Sequence, residues 1–181
     1  IVSGFHTDPV GLLLSHRADW AIVSEVEQND DVLFKPLFSY EMVGICSKDH
    51  PLANKEVWQA EDFAEETWVT YPVPDDMLDL YRQVLKPKGI NPPRRTTELT
   101  IALIQLVASR RGIATVPYWA ALPYLEKGYV VARKITEEGL YSNLYAAIRK
   151  EDANLAYIED FHQTVKAQSF STLPGLSVLE L

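Results

Sequence analysis

The chain has 181 residues, 47% of them hydrophobic, and a formal net charge of −8 from 25 acidic and 17 basic side chains. That length supports one domain, or two small lobes on one chain, without a disulfide or metal to hold the core. The one cysteine, Cys46, excludes a disulfide framework and a thiolate zinc cluster. The acidic balance argues against a broad grip on nucleic acid or an anionic membrane. The chain opens at Ile1, without methionine, in the apolar run Ile1-Val2-Ser3-Gly4, and is expected to be a fragment whose first strand is cut.

Val2 to Gly4 reads as the end of a strand. A helix over 9–16 follows, with Asp8 as N-cap, Pro9 at the first helical position, and Val10, Leu13 and Leu14 on one face. Ala18 to Ser24 is a short apolar strand, so the opening reads as a βαβ unit with a parallel sheet. Leu33 to Ser47 is a long extended run with Gly44 inside, a place for close approach, and the turn Lys48-Asp49-His50-Pro51 at its end. A short helix is expected over 61–66 and a strand over 67–71, stopped by Pro72. A helix over 77–85 follows, capped by Asp75 or Asp76, with Leu78, Tyr81 and Leu85 as its stripe. Next come a strand over 94–98 and a helix over 101–110 that Thr100 opens and caps and Gly112 ends. A buried strand over 113–116, a helix over 118–126 ending at Lys127-Gly128, and a strand over 129–133 complete this stretch. Leu140 to Arg149 is a second long extended run. A helix over 155–167 precedes a tail from Phe170.

The two long extended segments organise the reading. Between them lies a complete α/β set, and a smaller one is split between the flanks. The expected fold is α/β: a two-lobe, periplasmic-binding-protein-like clamp with two crossover segments. Residues 1–41 and 142–181 form the first lobe, truncated at its start, and 42–141 the second. Ligands of open α/β sheets sit at the carboxyl ends of strands beside helix N-termini, so the expected site is a cleft rimmed by those ends.

Chemical motifs are sparse. The eight glycines fall in neither phosphate-binding pattern. His6, His16, His50 and His162 have no metal-ligand spacing. There is no nucleophile elbow, and Cys46 lies in an apolar strand where a thiol is inert. The acidic pairs Asp30-Asp31, Glu65-Glu66, Asp75-Asp76 and Glu137-Glu138 lie in turns or at helix ends, where carboxylates are solvated. His6 with Asp8 forms a close His/carboxylate pair, read either as an acid/base pair or as a loop histidine beside a cap. No catalysis and no cofactor are expected. Arg82, Lys86, Lys88, Arg94, Arg95, Arg110 and Arg111 face only Glu98 in their stretch, a basic patch that either draws an anion or is a solvated face. Hydroxyls at strand ends, from Ser3, Ser24, Thr70 and Tyr71, and the helix start at Thr100 are the candidate ligand donors.

After the extended strand, Asp49-His50-Pro51-Leu52-Ala53 resembles the effector-binding domain of LysR-type transcriptional regulators. Ile104-Gln105-Leu106-Val107-Ala108, followed by Arg111-Gly112-Ile113-Ala114-Thr115-Val116-Pro117, is similar to the helix–glycine–strand–proline signature of that family. Asp8-Pro9, the run Ala18 to Ser24, Tyr71-Pro72-Val73, Gly139-Leu140-Tyr141 and Leu144 to Ala147 resemble its methionine-biosynthesis regulator branch. The resemblance covers residues 1–150 and lacks the strand, loop and helix that open the family's domain. It implies a cytoplasmic transcriptional regulator whose small-molecule effector is homocysteine. It also implies DNA contact through a winged helix-turn-helix absent from this chain, assembly as a homodimer or homotetramer, and no membrane partner. Carried over position by position, the effector-binding residues would be Ser3, Gly4, Ser24, Thr70, Tyr71, Pro72, Thr100, Val116 and Pro117. The competing readings are a stand-alone solute-binding protein, a regulator with another small anionic effector, and a small α/β enzyme using His6 and Asp8.

Overall fold

A computed structural model describes residues 8–179. The expected strand end at Val2 to Gly4, with Ser3, and His6 lie outside the described residues. The chain divides into two α/β units: residues 1–40 with 142–181, and residues 41–141. Two long strands carry the chain across that division, β2 (Val32–Cys46) and β8 (Leu140–Arg149).

In the unit built from the two ends of the chain, α1 (Pro9–Leu14) starts as the sequence predicts. The Gly11 N–H donates to the Asp8 carboxylate at 2.7 Å, and Pro9 fills the first turn, where an N–H would have no helical partner. Val10 and Leu13 are buried, whereas Leu14 is exposed and leaves the predicted face. Strand β1 (Ala21–Val23) runs antiparallel to β8, with Ala21 opposite Ala147. The parallel pairing expected at the start would involve Val2 to Gly4 and so lies outside the described residues.

Arg149, at the end of β8, knits this unit together. It is 6% exposed and donates to the Leu13 and Ala18 carbonyls at 2.8 and 2.5 Å, and to the Asp19 and Asp152 carboxylates at 2.8 and 2.5 Å. Helix α4 (Ala156–Thr172) packs with Ile158 and His162 buried. It runs five residues past the predicted end. The tail then returns as a two-residue strand, β9 (Leu176–Ser177), antiparallel to Ser39 and Tyr40 of β2. Phe170 meets the Phe38 ring edge-on at 6.2 Å.

In residues 41–141, the second half of β2 pairs antiparallel with β6 (Ile113–Pro117) and β7 (Val131–Ile135). Strand β4 (Trp68–Thr70) lies parallel to both β6 and β5 (Arg94–Thr96), and β3 (Val57–Trp58) is parallel to β7. Helices α2 (Thr100–Ala108) and α3 (Tyr118–Glu126) follow β5 and β6. One core gathers Leu103, Ile104 and Val107 of α2 with Val69, Ala114 and Val116 of the sheet. A second surrounds Trp58, Phe63, Trp68 and Leu85. Gly44 serves the close approach read from the sequence, since a Cβ there would stand 2.4 Å from the Trp58 ring.

Several elements differ from the prediction. The helix expected over 61–66 is a single 3₁₀ turn, Ala60–Phe63, in which Asp62 caps the Gln59 N–H. The helix over 77–85 resolves into a 3₁₀ turn (Asp75–Met77), a π turn (Tyr81–Leu85) and a further 3₁₀ turn (Lys86–Lys88). Pro87 explains the stop, because its ring excludes α-helical continuation. Asp75 and Asp76 cap nothing there. They pair instead with Arg94 (2.5 Å) and Lys86 (2.7 Å). Gly112 does not end α2: Ser109 is the C-cap, and Arg110 takes the left-handed turn at φ 58° while the Arg111 N–H donates to the Leu106 carbonyl. Gly112 is needed for another reason, since a Cβ would lie 2.2 Å from the Thr67 carbonyl oxygen, in a backbone at φ 148°.

Candidate functional site

The parallel strands β5, β4 and β6 point their carboxyl ends the same way, and α2 and α3 begin just past two of them. Register sets Thr70 beside Thr96, and the Thr97 N–H donates to the Thr70 carbonyl at 3.0 Å. The next residues in line, Tyr71 after β4 and Pro117 closing β6, thus frame the start of α2 and α3. This is the strand-end arrangement at which open α/β sheets take ligands.

The chemistry of this rim is hydroxyl and amide. Tyr71 and Thr100 share a hydrogen bond of 2.7 Å between their hydroxyls, across 29 residues of chain. Burial pushes the Tyr71 phenol above its usual range, and the bond to Thr100 opposes that only in part. Tyr71 therefore stays a neutral phenol. Thr100 is not the N-cap expected from the sequence: Leu99 takes that position, offers no side-chain cap, and is exposed with Ile101. The first-turn N–H groups of Thr100, Ile101 and Ala102 have no carbonyl a turn earlier to accept them. They present the positive end of the helix dipole beside the hydroxyl pair, an arrangement suited to a carboxylate. Helix α3 begins in the same way, with Pro117 as an N-cap that carries no polar side chain.

The other predicted site residues fall as follows. Thr70 is buried at the end of β4 and Pro72 is exposed just beyond Tyr71. Val116 is wholly buried, in the core cluster that holds Leu103, Ile104 and Val107 of α2. Ser24 is exposed one residue past β1 in the other unit. Ser3 and Gly4 lie outside the described residues. Asp8 caps α1, accepting from the Gly11 N–H. The sequence reading missed Thr96, Thr97 and Leu99, whose place on the rim follows only from β5 being parallel to β4.

The basic stretch proves largely neutralised. Arg82 pairs with Asp79, Lys86 with Asp76, Lys88 with Glu61, Arg94 with Asp75 and Arg110 with Asp49. Arg94 also lies over the Trp68 ring at 4.8 Å. Five of the seven cations thus serve local structure. His50 of the Asp49-His50-Pro51 turn is structural as well: its Nδ1 accepts from the Leu52 N–H, and its Nε2 lies 3.3 Å from Glu66. Burial pushes the Cys46 thiol up to about 11, with Arg133 acting weakly the other way. Among the described residues no group of three or more His, Cys, Asp or Glu could hold a metal ion, and no helix is long and apolar enough to cross a membrane.

Comparison with known proteins gives these features a context. Residues 1–169 match the LysR substrate binding domain family. The chain is 86% identical over all 181 residues to the HTH-type transcriptional regulator MetR of Haemophilus influenzae and spans 59% of that relative's length. The regulatory domain of MetR, a LysR family regulator from N. meningitidis, superimposes with a TM-score of 0.92 at 66% identity, covering 99% of this chain and 83% of that one. The effector binding domain of QuiR in complex with shikimate shares the fold, with a TM-score of 0.72 at 23% identity over 88% of this chain and 77% of that one. A domain of this α/β fold, matched to one family over all but its last dozen residues and to a MetR sequence along its whole length, belongs to the LysR substrate binding domain family.

Proposed function

We propose that this chain is the sensing part of a MetR-type transcriptional regulator that binds homocysteine as its effector and thereby controls methionine-biosynthesis genes. The observation that carries the reading is the rim at the start of α2, where the Tyr71–Thr100 hydroxyl pair stands beside an uncapped helix N-terminus. A carboxylate accepts from the first-turn amides, and whichever hydroxyl of the pair does not donate to the other adds one more donor. Exposed Leu99 and Ile101 offer apolar surface beside it. Homocysteine itself rests on the resemblance to the methionine-biosynthesis branch. The two units correspond, in this reading, to the two subdomains of the family's effector domain.

The parent protein works by population shift: effector binding favours one state of the regulator by its differential affinity for that state. DNA is contacted by a winged helix-turn-helix that this chain does not include, in a homodimer or homotetramer in the cytoplasm. The chain senses and does not catalyse. A second reading, a different small carboxylate effector, draws support from the shikimate held by the QuiR neighbour.

Calorimetry on the full-length regulator tests this. Homocysteine should bind, and Tyr71→Phe and Thr100→Val should each weaken it about tenfold, the loss of one hydrogen bond to a charged group. No heat at millimolar homocysteine removes that effector and leaves the family assignment standing.

A further inference from the structure

The unit formed by the chain's two ends carries a surface pocket of about 180 Å³, open to solvent, lined by Arg149 and by the exposed side chains of Leu14, His16, Asp31, Lys150 and Glu151. Its walls are held firmly. Arg149 ties the Leu13 and Ala18 carbonyls to Asp19 and Asp152, and the Lys150 N–H donates to the Asp31 carbonyl at 2.8 Å. His16 sits in a left-handed backbone at φ 54°, with its N–H on the Leu13 carbonyl. Arg149 is therefore wall, its charge already answered by Asp19 and Asp152 and, more loosely, by Glu151.

Three of the remaining lining groups are not answered: among the described residues Lys150, His16 and Asp31 enter no salt bridge, whereas Glu151 pairs loosely with Arg149 Nε at 4.0 Å. The Lys150 ammonium reaches only the Asp30 carbonyl, at 3.4 Å. The pocket thus presents an ammonium, an imidazole and two carboxylates beside the apolar Leu14. An anion would meet Asp31 and Glu151, and a cation would meet Lys150. A small molecule carrying both charges a bond or two apart meets neither penalty. The volume, roughly six waters at ~30 Å³ each, is on the scale of a short amino acid.

We propose that this pocket is a second ligand site, separate from the rim at α2, which takes a free α-amino acid with a short side chain: its carboxylate on Lys150 and His16, its ammonium on Asp31 and Glu151, its side chain against Leu14. The site stands independently of the homocysteine reading, because none of its residues belongs to the α2 rim.

Amide chemical-shift mapping on the ¹⁵N-labelled 181-residue chain tests it, with L-valine as the probe and N-acetyl-L-valine and L-valinamide as single-charge controls. L-valine should bind in the millimolar range expected of exposed charges, shifting residues 14–18, 30–31 and 149–151. Asp31→Asn and Lys150→Gln should each weaken it at least fivefold, both controls should bind at least fivefold more weakly than L-valine, and Tyr71→Phe should leave it unchanged. The proposal fails if no shift appears by 50 mM, if the shifts centre on Tyr71 and Thr100, if either control binds as well as L-valine, or if the two charge variants bind undiminished.

Discussion

Arg149→Met isolates what a single buried guanidinium contributes to one unit of this protein. The substitution keeps a long unbranched side chain but removes four hydrogen bonds, two to the carbonyls of Leu13 and Ala18 and two to the carboxylates of Asp19 and Asp152. Breaking a buried charged pair from one side costs about 3–5 kcal/mol, because the partner stays behind unpaired. Here the lower end applies. The Asp19 carboxylate is 65% exposed and rehydrates freely, whereas Asp152, at 20%, and the two carbonyls do so poorly. The expected loss is about 3 kcal/mol; at a urea m-value of roughly 2 kcal/mol/M this moves the midpoint down by about 1.5 M. Tryptophan fluorescence follows the transition, and hydrogen exchange by mass spectrometry localises it. Protection should fall across α1 and β1 and hold in α2, which belongs to the other unit. Arg149→Lys should recover part of the loss, since an ammonium reaches some acceptors but cannot fork to all four. A midpoint shift below about 0.5 M, or an equal loss of protection in α2, would refute the reasoning.

Three further outcomes can be checked directly. Gly44→Ala places a methyl 2.4 Å from the Trp58 ring and should cost about 1–3 kcal/mol by overpacking, measured by urea denaturation, with Trp58→Phe in the same chain restoring part of it. His162 is buried on α4, and its pKa is lowered by burial first and then by Lys35 and Lys166, against the opposing pull of Glu159. Its folded state favours the neutral ring, so the stability it supports is whole above the unfolded value of about 6.5 and declines as pH falls below that. In thermal melts from pH 7.5 to 5, His162→Leu should flatten that decline. Cys46, wholly buried with a thiol pKa of about 11, should react with a disulfide reagent at pH 8 only at the rate of opening, and stoichiometrically once unfolded in urea.

What the amino-acid order revealed, and what it hid, separates by the range of the interaction. Strand β8 occupies the predicted 140–149, and Asp8 caps α1 beside Pro9, because alternation and capping act over a few residues. The long extended run around Gly44 was legible for the same reason. The helix does open at Thr100, but its capping role was misjudged, because its hydroxyl is engaged by Tyr71, a partner 29 residues away, and Leu99 takes the cap position instead. The basic run from Arg82 to Arg111 looked like an anion attractor because its counter-charges, Asp49, Glu61, Asp75, Asp76 and Asp79, all lie upstream of it. Position in the family pattern carries no information on which way a strand residue faces, and Val116 turns into the core. Strand ends and the helix start named Thr70, Tyr71 and Thr100 in the sequence, and the parallel register of β4 and β5 adds Thr96 and Thr97 beside them.

The short strand β9 bears on how this domain avoids itself. The family match ends at residue 169, and β9 lies beyond it at 176–177, covering the backbone of Ser39 and Tyr40. A sheet edge left bare is a template on which another chain can pair. A piece trimmed to the family boundary would uncover that edge and lose the Phe170 ring from Phe38, leaving exposed backbone next to an aromatic surface. Such a piece should aggregate through strand pairing more readily, with rising concentration, than the longer chain, a difference that size-exclusion chromatography of the two lengths would show.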